Sequence, residues 1–222
     1  MRQHAALPSS TRRAAARGPL PREFYDRDAD GVARDLLGAV LECRSPEGIA
    51  RGRIVETEAY LGPHDPACHA AAGLTDRNRA LFGPPGRAYV YFIYGVHWCV
   101  NAVTRETGFG SAVLIRALEP LEGLALMRRR RDTERLTELT SGPAKLCYAL
   151  GIDGGYDGLR LDRGPLRILA GAPVPASRLG VSARIGIVKA ADWPLRFFET
   201  ENPHVSRMPH APARSRRSRR GR

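Results

Sequence analysis

The chain has 222 residues, 43% of them hydrophobic, with 23 glycines and 17 prolines, which suits one domain with a sizeable core. Its formal charge of +12 gathers at the ends: residues 1–22 hold five arginines and residues 214–222 hold six, with no acid in either stretch, so the body between them is close to neutral. No apolar run approaches the roughly 18–20 residues that span a bilayer, and four scattered cysteines without a C-x-x-C pair speak against a disulfide scaffold or a structural zinc site, so a soluble protein without membrane attachment is expected.

In chain order, residues 1–22 read as a basic, disordered N-terminal arm, residues 23–208 as one folded domain, and residues 209–222 as an Arg-rich disordered tail, because like charges repel and little apolar surface is present to bury. Either arm suits a phosphate backbone, with a contribution that falls steeply with salt. Apolar residues at helical spacing predict a helix over Ala29–Leu37, with Asp28 available as its cap. Ala39–Arg44 and Ile49–Tyr60 read as an antiparallel hairpin turning at S-P-E-G. On its second strand a period of two puts Ile54, Glu56, Glu58 and Tyr60 on one face and Arg53, Val55, Thr57 and Ala59 on the other. Gly62–Thr75 is a loop, and Asp76–Phe82 a short helix capped by its aspartate. Tyr89–Ile93 and Val96–Val103 form a second hairpin, whose turn at Tyr94-Gly95 uses glycine's tolerance of positive φ and leaves Tyr94 at an exposed tip. Then come a strand (Ala112–Leu118), a helix (Pro120–Arg131) with proline in its first turn, a helix (Gly142–Leu150), and strands at Leu166–Leu169, Val181–Val188 and Leu195–Phe198. The expected class is α+β: one domain around a curved, mostly antiparallel sheet, with a protruding β-hairpin and flanking helices.

The chemistry concentrates between Arg51 and Arg116. The ribbon A-Y-V-Y-F-I-Y-G-V-H-W-C-V-N (Ala88–Asn101) holds three tyrosines, a phenylalanine and a tryptophan in fourteen residues, close to the acids of V-E-T-E-A-Y-L-G. Carboxylates beside aromatics, with arginines around them, suit work on a nucleobase. Phe92, Trp98 and Phe197 are most simply core. A general base should be a carboxylate held at a pocket, and strand parity leaves Glu56 and Glu58 equally eligible. Their ordinary alternative is ion pairing with Arg51 or Arg53. His64, Cys68 and His69 offer at most three metal ligands with no evident fourth, so neither a metal nor another cofactor is expected.

V-E-T-E-A-Y-L-G-P, R-N-R-x-L-F, Y-V-Y-F-I-Y-G, L-I-R-A-L-E-P-L-E-G and S-G-P-A-K-L, in order and with compatible spacing over roughly Phe24–Met208, resemble the alkyladenine (3-methyladenine) DNA glycosylase family. The resemblance implies a base-excision-repair enzyme that extrudes alkylated or deaminated purines from double-stranded DNA and hydrolyses the N-glycosidic bond. It selects Glu58 as the base that activates water, Tyr94 as the side chain that fills the vacated stack, and Tyr60, His69 and Tyr91 as the walls of the base pocket. It also implies that Asn101 polices the 2-amino edge of guanine and that Arg116 lies near the catalytic water and the sugar-phosphate. The ordinary alternatives are a core-facing polar residue for Asn101 and a salt bridge to Glu119 for Arg116. The family's substrates are 3-methyladenine, 7-methylguanine, hypoxanthine and ethenoadenine.

Only two lysines, Lys145 and Lys189, are available as amine nucleophiles, and neither lies in the acid-and-aromatic stretch, so a hydrolase without lyase chemistry is expected. Competing readings are a metal-dependent nuclease built on Glu56, Glu58 and Asp65, and a DNA-binding module without catalysis. A monomer that needs no protein partner is expected, in the cytoplasm and on the nucleoid if the source is bacterial, or in the nucleus if it is eukaryotic.

Overall fold

The computed structural model describes residues 18–206. Residues 1–17 of the expected arm, the last two residues of the expected domain and the whole of the expected tail lie outside the described residues. The part of residues 1–22 that is described lies against the sheet: Pro19 bridges Leu169 and the Leu20 amide donates to the Ile168 carbonyl.

Eight strands build one open sheet: β1 (Val40–Ser45), β2 (Gly48–Tyr60), β3 (Ala88–Ile93), β4 (His97–Thr104), β5 (Ser111–Glu122), β6 (Leu166–Leu169), β7 (Leu179–Ser182) and β8 (Arg196–Glu199). The order is β3-β4-β5-β2-β1-β6, with β8 joined to β2 and β7 to β8, and every ladder is antiparallel. The helices are α1 (Arg22–Tyr25), α2 (Ala29–Asp35), α3 (Leu124–Arg131) and α4 (Pro143–Leu150), supplemented by short 3-10 turns. This is the expected α+β architecture.

β2 is the organising strand because both of its edges are occupied. Along one runs β5; the other is taken first by β1, opposite Gly48–Arg53, and then by β8, opposite Glu56–Glu58. At this change of partner the ladder with β5 shifts register between Ile54 and Glu56 and again between Glu56 and Thr57. A bulge breaks the period of two. Ile54 therefore joins Ala59 in the main core, and Thr57 donates to the Ala33 carbonyl of α2, so the face expected to carry Ile54 together with Glu56 is corrected. The main core gathers α2, α4 and the sheet around Leu36, Leu118, Leu146 and Phe197. A smaller cluster of Cys68, Ala70, Leu81, Tyr89, Val103 and Ala112 packs beneath the aromatic hairpin.

Several expected elements change. The helix expected from Pro120 begins at Leu124, because β5 persists to Glu122 while Arg53 and Arg51 reach Glu119 and Glu122 across the ladder. Pro120 sits where that ladder shifts register, a place where a missing N–H is tolerated. The turn over Asp76–Phe82 is a 3-10 helix capped by Thr75, whose hydroxyl and the Asn78 side chain satisfy each other's backbone N–H. Asp28 precedes α2 but makes no capping bond and faces Arg105 instead. The strand expected over Val181–Val188 ends at Ser182, because the Arg184 side chain turns into the interior. Phe197 is core, whereas Phe92 is 39% exposed and stacks at 4.7 Å on a half-buried Trp98.

Behind the sheet, fully buried Glu42 receives Arg44, Arg51 and Arg167. Burial alone raises its pKa, but the three guanidinium groups outweigh it and bring the carboxyl from 4.5 down to about 2. The unfolded chain thus takes up the proton at higher pH than the native one. The stability Glu42 contributes is complete above about 4.5 and lost as the pH falls toward about 2. Thermal unfolding of wild type should show a decline in Tm across that window, and Glu42→Gln, already less stable at pH 7, should show a flatter one; identical pH profiles would contradict this assignment.

Candidate active site

Glu56, Glu58 and Tyr60 come together at the end of β2, past its bulge. Both carboxylates are fully buried. Arg116, on the neighbouring β5, bridges them, its Nε donating to Glu56 Oε1 at 3.0 Å and an Nη lying 3.1 Å from Glu58 Oε1. Burial works against its charge, yet the Glu58 and Glu56 carboxylates raise its pKa above the ordinary arginine value. Arg116 makes no bridge to Glu119.

The structure separates the two glutamates that parity left equivalent. Glu56 has four donors: Arg116, Arg196 Nε and the Ser206 hydroxyl on Oε1, and the Ser206 amide on Oε2, the last three each at 2.7 Å. Glu58 has three: Oε1 accepts the Ile185 amide at 2.7 Å and faces Arg116, and Oε2 accepts, among the described residues, only the Tyr60 hydroxyl, at 2.9 Å. By count, one lone pair of Oε2 is left without a donor among the described residues. Burial, and then the charge of Glu58, push the Tyr60 phenol far up, so it stays a donor.

Above this carboxylate lies a cavity of about 310 Å³ whose lining includes Tyr60, His69, Tyr91, Tyr94, Asn101 and Arg116. Six of the seven residues singled out from the sequence thus meet at one concavity, and the seventh, Glu58, lies beneath it, held by the lining residues Tyr60, Arg116 and Ile185. The size fits the lower range of small-molecule sites. His69 and Tyr91 meet edge to face at 4.6 Å. His69 Nδ1 pairs with the Tyr89 hydroxyl at 2.8 Å, and burial, with the charge of Arg77, lowers its pKa, so the imidazole is neutral at pH 7. Asn101 donates from Nδ2 to the Tyr89 carbonyl at 3.0 Å, which fixes its side chain beside the cavity.

Tyr94 occupies the hairpin tip with φ 55°, followed by Gly95 at φ 69°. The two are the central residues of a turn closed by the Val96 amide donating to the Ile93 carbonyl at 3.2 Å, and a tyrosine at positive φ is strained by about 1–2 kcal/mol. Its ring is 81% exposed. The neighbouring Val96, 63% exposed, extends the apolar tip.

The sequence reading missed three contributors. Tyr89, taken only as the first residue of a strand, supports His69. Ile185 donates to Glu58 through its backbone, which no side-chain pattern reveals. Arg184, fully buried, pairs with Asp65 at 2.5 and 2.9 Å. The three carboxylates of the nuclease reading are thus each tied to arginine, and among the described residues no three His, Cys, Asp or Glu side chains group as a metal site. Lys145 pairs with Glu138. Arg77 and Lys189 line a second cleft, which shares Ala67, Cys68, His69 and Tyr89 with the cavity and contains no acid.

Residues 23–203 match the family described as methylpurine-DNA glycosylase. A protein of Methanoculleus marisnigri named "Putative 3-methyladenine DNA glycosylase" is 51% identical over 85% of this chain and 98% of its own length. Proteins of the same name from Myxococcus xanthus and Agrobacterium fabrum are 47% and 50% identical, over 86% and 85% of this chain and 94% and 92% of theirs.

The distinct environments of the two glutamates predict distinct phenotypes. Glu56→Gln strips charge from a carboxylate that balances Arg116 and Arg196, and removing one member of such a buried set costs about 3–5 kcal/mol. Denaturant titration should show that loss as a lower midpoint at unchanged slope, and a midpoint equal to wild type would mean that Glu56 does not hold the arginines.

Proposed function

The chain belongs to the methylpurine-DNA glycosylase family, and from that membership we propose that it flips a damaged purine into the aromatic cavity and hydrolyses its N-glycosidic bond with a water activated by Glu58. The observation that carries the proposal is a buried carboxylate with one unsaturated oxygen beneath a cavity walled by Tyr60, His69 and Tyr91.

Extruding a base from the duplex costs a few kcal/mol, less where damage has weakened pairing. Tyr94, prominent at its tip, occupies the gap left in the stack; wedges of this kind unstack base steps in many DNA-binding proteins. The extruded purine stacks among the pocket rings, where an electron-poor alkylated base gains from electron-rich faces. Neutral His69 adds no charge that would repel a cationic base. Asn101, immobilised against β3, stands where it can reject an exocyclic amino group. As the bond from the sugar carbon to the purine nitrogen breaks, positive charge develops on the sugar next to Glu58. Water then adds to the sugar carbon and its proton passes to the Glu58 carboxylate, while Arg116 holds the other oxygen in place.

Lys145 is occupied by Glu138, and neither lysine lines the cavity, which supports hydrolysis without a Schiff base, leaving an abasic site. The substrate range we propose covers 3-methyladenine, 7-methylguanine, hypoxanthine and ethenoadenine. The acid-free cleft with Arg77 and Lys189 beside the pocket wall gives the flanking phosphates a path. The enzyme acts as a monomer without a protein partner, in the cytoplasm and on the nucleoid of a bacterial source.

Two measurements test this reading. A duplex with one hypoxanthine or ethenoadenine, incubated in excess EDTA, should break only after hot alkali, and Glu58→Gln should slow base release by roughly 10² or more, the size of a lost general base; breaks without alkali, or abolition by EDTA, would refute the mechanism. Lys189→Ala should weaken DNA binding and flatten its dependence on log salt by about 0.9, one phosphate's share. An unchanged slope would remove Lys189 from the DNA path.

A further inference from the structure

We infer that Asp65 and Arg184 form a clamp that positions the Glu58 carboxylate, one guanidinium fixing both of the donors that hold Glu58 besides Arg116. The inference rests on Glu58 being the reacting carboxylate, as proposed above.

The geometry is a closed set of contacts among three stretches of chain. Arg184 donates through Nη1 to Asp65 Oδ2 at 2.5 Å and to the Ala59 carbonyl at 3.0 Å, and through Nη2 to Asp65 Oδ1 at 2.9 Å. Asp65 in turn accepts the Leu61 and Ala67 amides, at 3.1 and 3.0 Å. The last residues of β2, the loop after it and the segment following β7 are thereby tied at one point, and both side chains of the pair are fully buried.

Two consequences converge on Glu58. The residue after Arg184 is Ile185, whose amide donates to Glu58 Oε1; wherever the Arg184 backbone is held, that donor is held too. The Arg184 guanidinium also lies 4.7 Å from the centroid of the Tyr60 ring, and the Tyr60 hydroxyl donates to Glu58 Oε2. The guanidinium backs the ring that carries the second donor. Without the clamp, Arg116 alone would orient Glu58, and that arginine is shared with Glu56.

A buried ion pair is weak evidence for stability, since desolvation consumes most of its attraction, and here Arg184 Nε has no hydrogen-bond partner among the described residues. That is a poor design for gaining stability and a suitable one for orientation, because the bidentate fork fixes the plane of the guanidinium. Outer partners that orient metal ligands change affinity or activity by about 10- to 100-fold when removed, and a carboxylate oriented through Tyr60 and Ile185 sets the same scale of expectation.

The test is single-turnover release of methylpurine from alkylated duplex DNA, with enzyme in excess, alongside Kd for a duplex carrying a tetrahydrofuran abasic analogue. Asp65→Asn, Arg184→Lys and Arg184→Met would each be measured alone and combined with Glu58→Gln, with Tm recorded for all. We expect the release rate to fall on the order of 10- to 100-fold with Kd unchanged, and no further fall when the substitutions are added to Glu58→Gln, because the clamp acts through that carboxylate. Equal losses in both backgrounds, or full activity in a folded Arg184→Lys, would overturn the clamp. If Arg184→Met does not fold, Arg184→Lys, which keeps the charge, and the isosteric Asp65→Asn decide the matter. A wild-type rate in Glu58→Gln alone would instead overturn the role of Glu58, a separate and recognisable result.

Discussion

Two buried carboxylates two residues apart on one strand repel each other unless opposite charge lies between them. Arg116 supplies it. Its position on β5, alongside β2, places one guanidinium across both acids, and Arg196 on β8 neutralises the share of Glu56 that Arg116 leaves. The surrounding architecture can be read as the means of bringing those strands together: β2 must lie between β5 and β8 at that point, and it exchanges β1 for β8 there. The bulge at the exchange is what turns Glu56 toward the arginines.

This arrangement divides labour between two chemically identical side chains. Glu56 is surrounded by donors and serves as the fixed countercharge for two arginines. Glu58 has fewer donors and a cavity above it. Identity of residue type says nothing about which does which. The difference arises from Ser206 and Arg196 on one side and from Ile185 and Tyr60 on the other.

That is also why the sequence carried some of the site and not the rest. Tyr94 was legible because a tyrosine followed by glycine between two alternating apolar runs has one natural place, the tip of a hairpin. The pocket rings were legible from the resemblance and from their density over Ala88–Asn101. Strand parity failed between Ile54 and Glu56 because a bulge is set by what the partner strands demand, and β8 lies about 140 residues further along the chain. The helix expected at Pro120 failed for a related reason: cross-strand pairs from Arg53 and Arg51 extend β5 past a residue whose local preference is a helix start. Ile185 contributes a backbone amide, and backbone amides are the same in every residue but proline. Arg184 and Asp65 stand more than a hundred residues apart, so only the folded chain shows that they belong together.

The site's charge balance depends on a residue far along the chain. Ser206 gives Glu56 two of its hydrogen bonds and receives Arg196 on its carbonyl, yet it lies just past residue 203, where the family match ends. A boundary drawn where that match ends would therefore cut away a partner of Glu56 while sparing every residue of the pocket. Ser206 acts as a keystone set after the arch is built: until synthesis delivers it, Glu56 and its arginines lack their closing partner, so this buried charge cluster is completed only after all eight strands have been made.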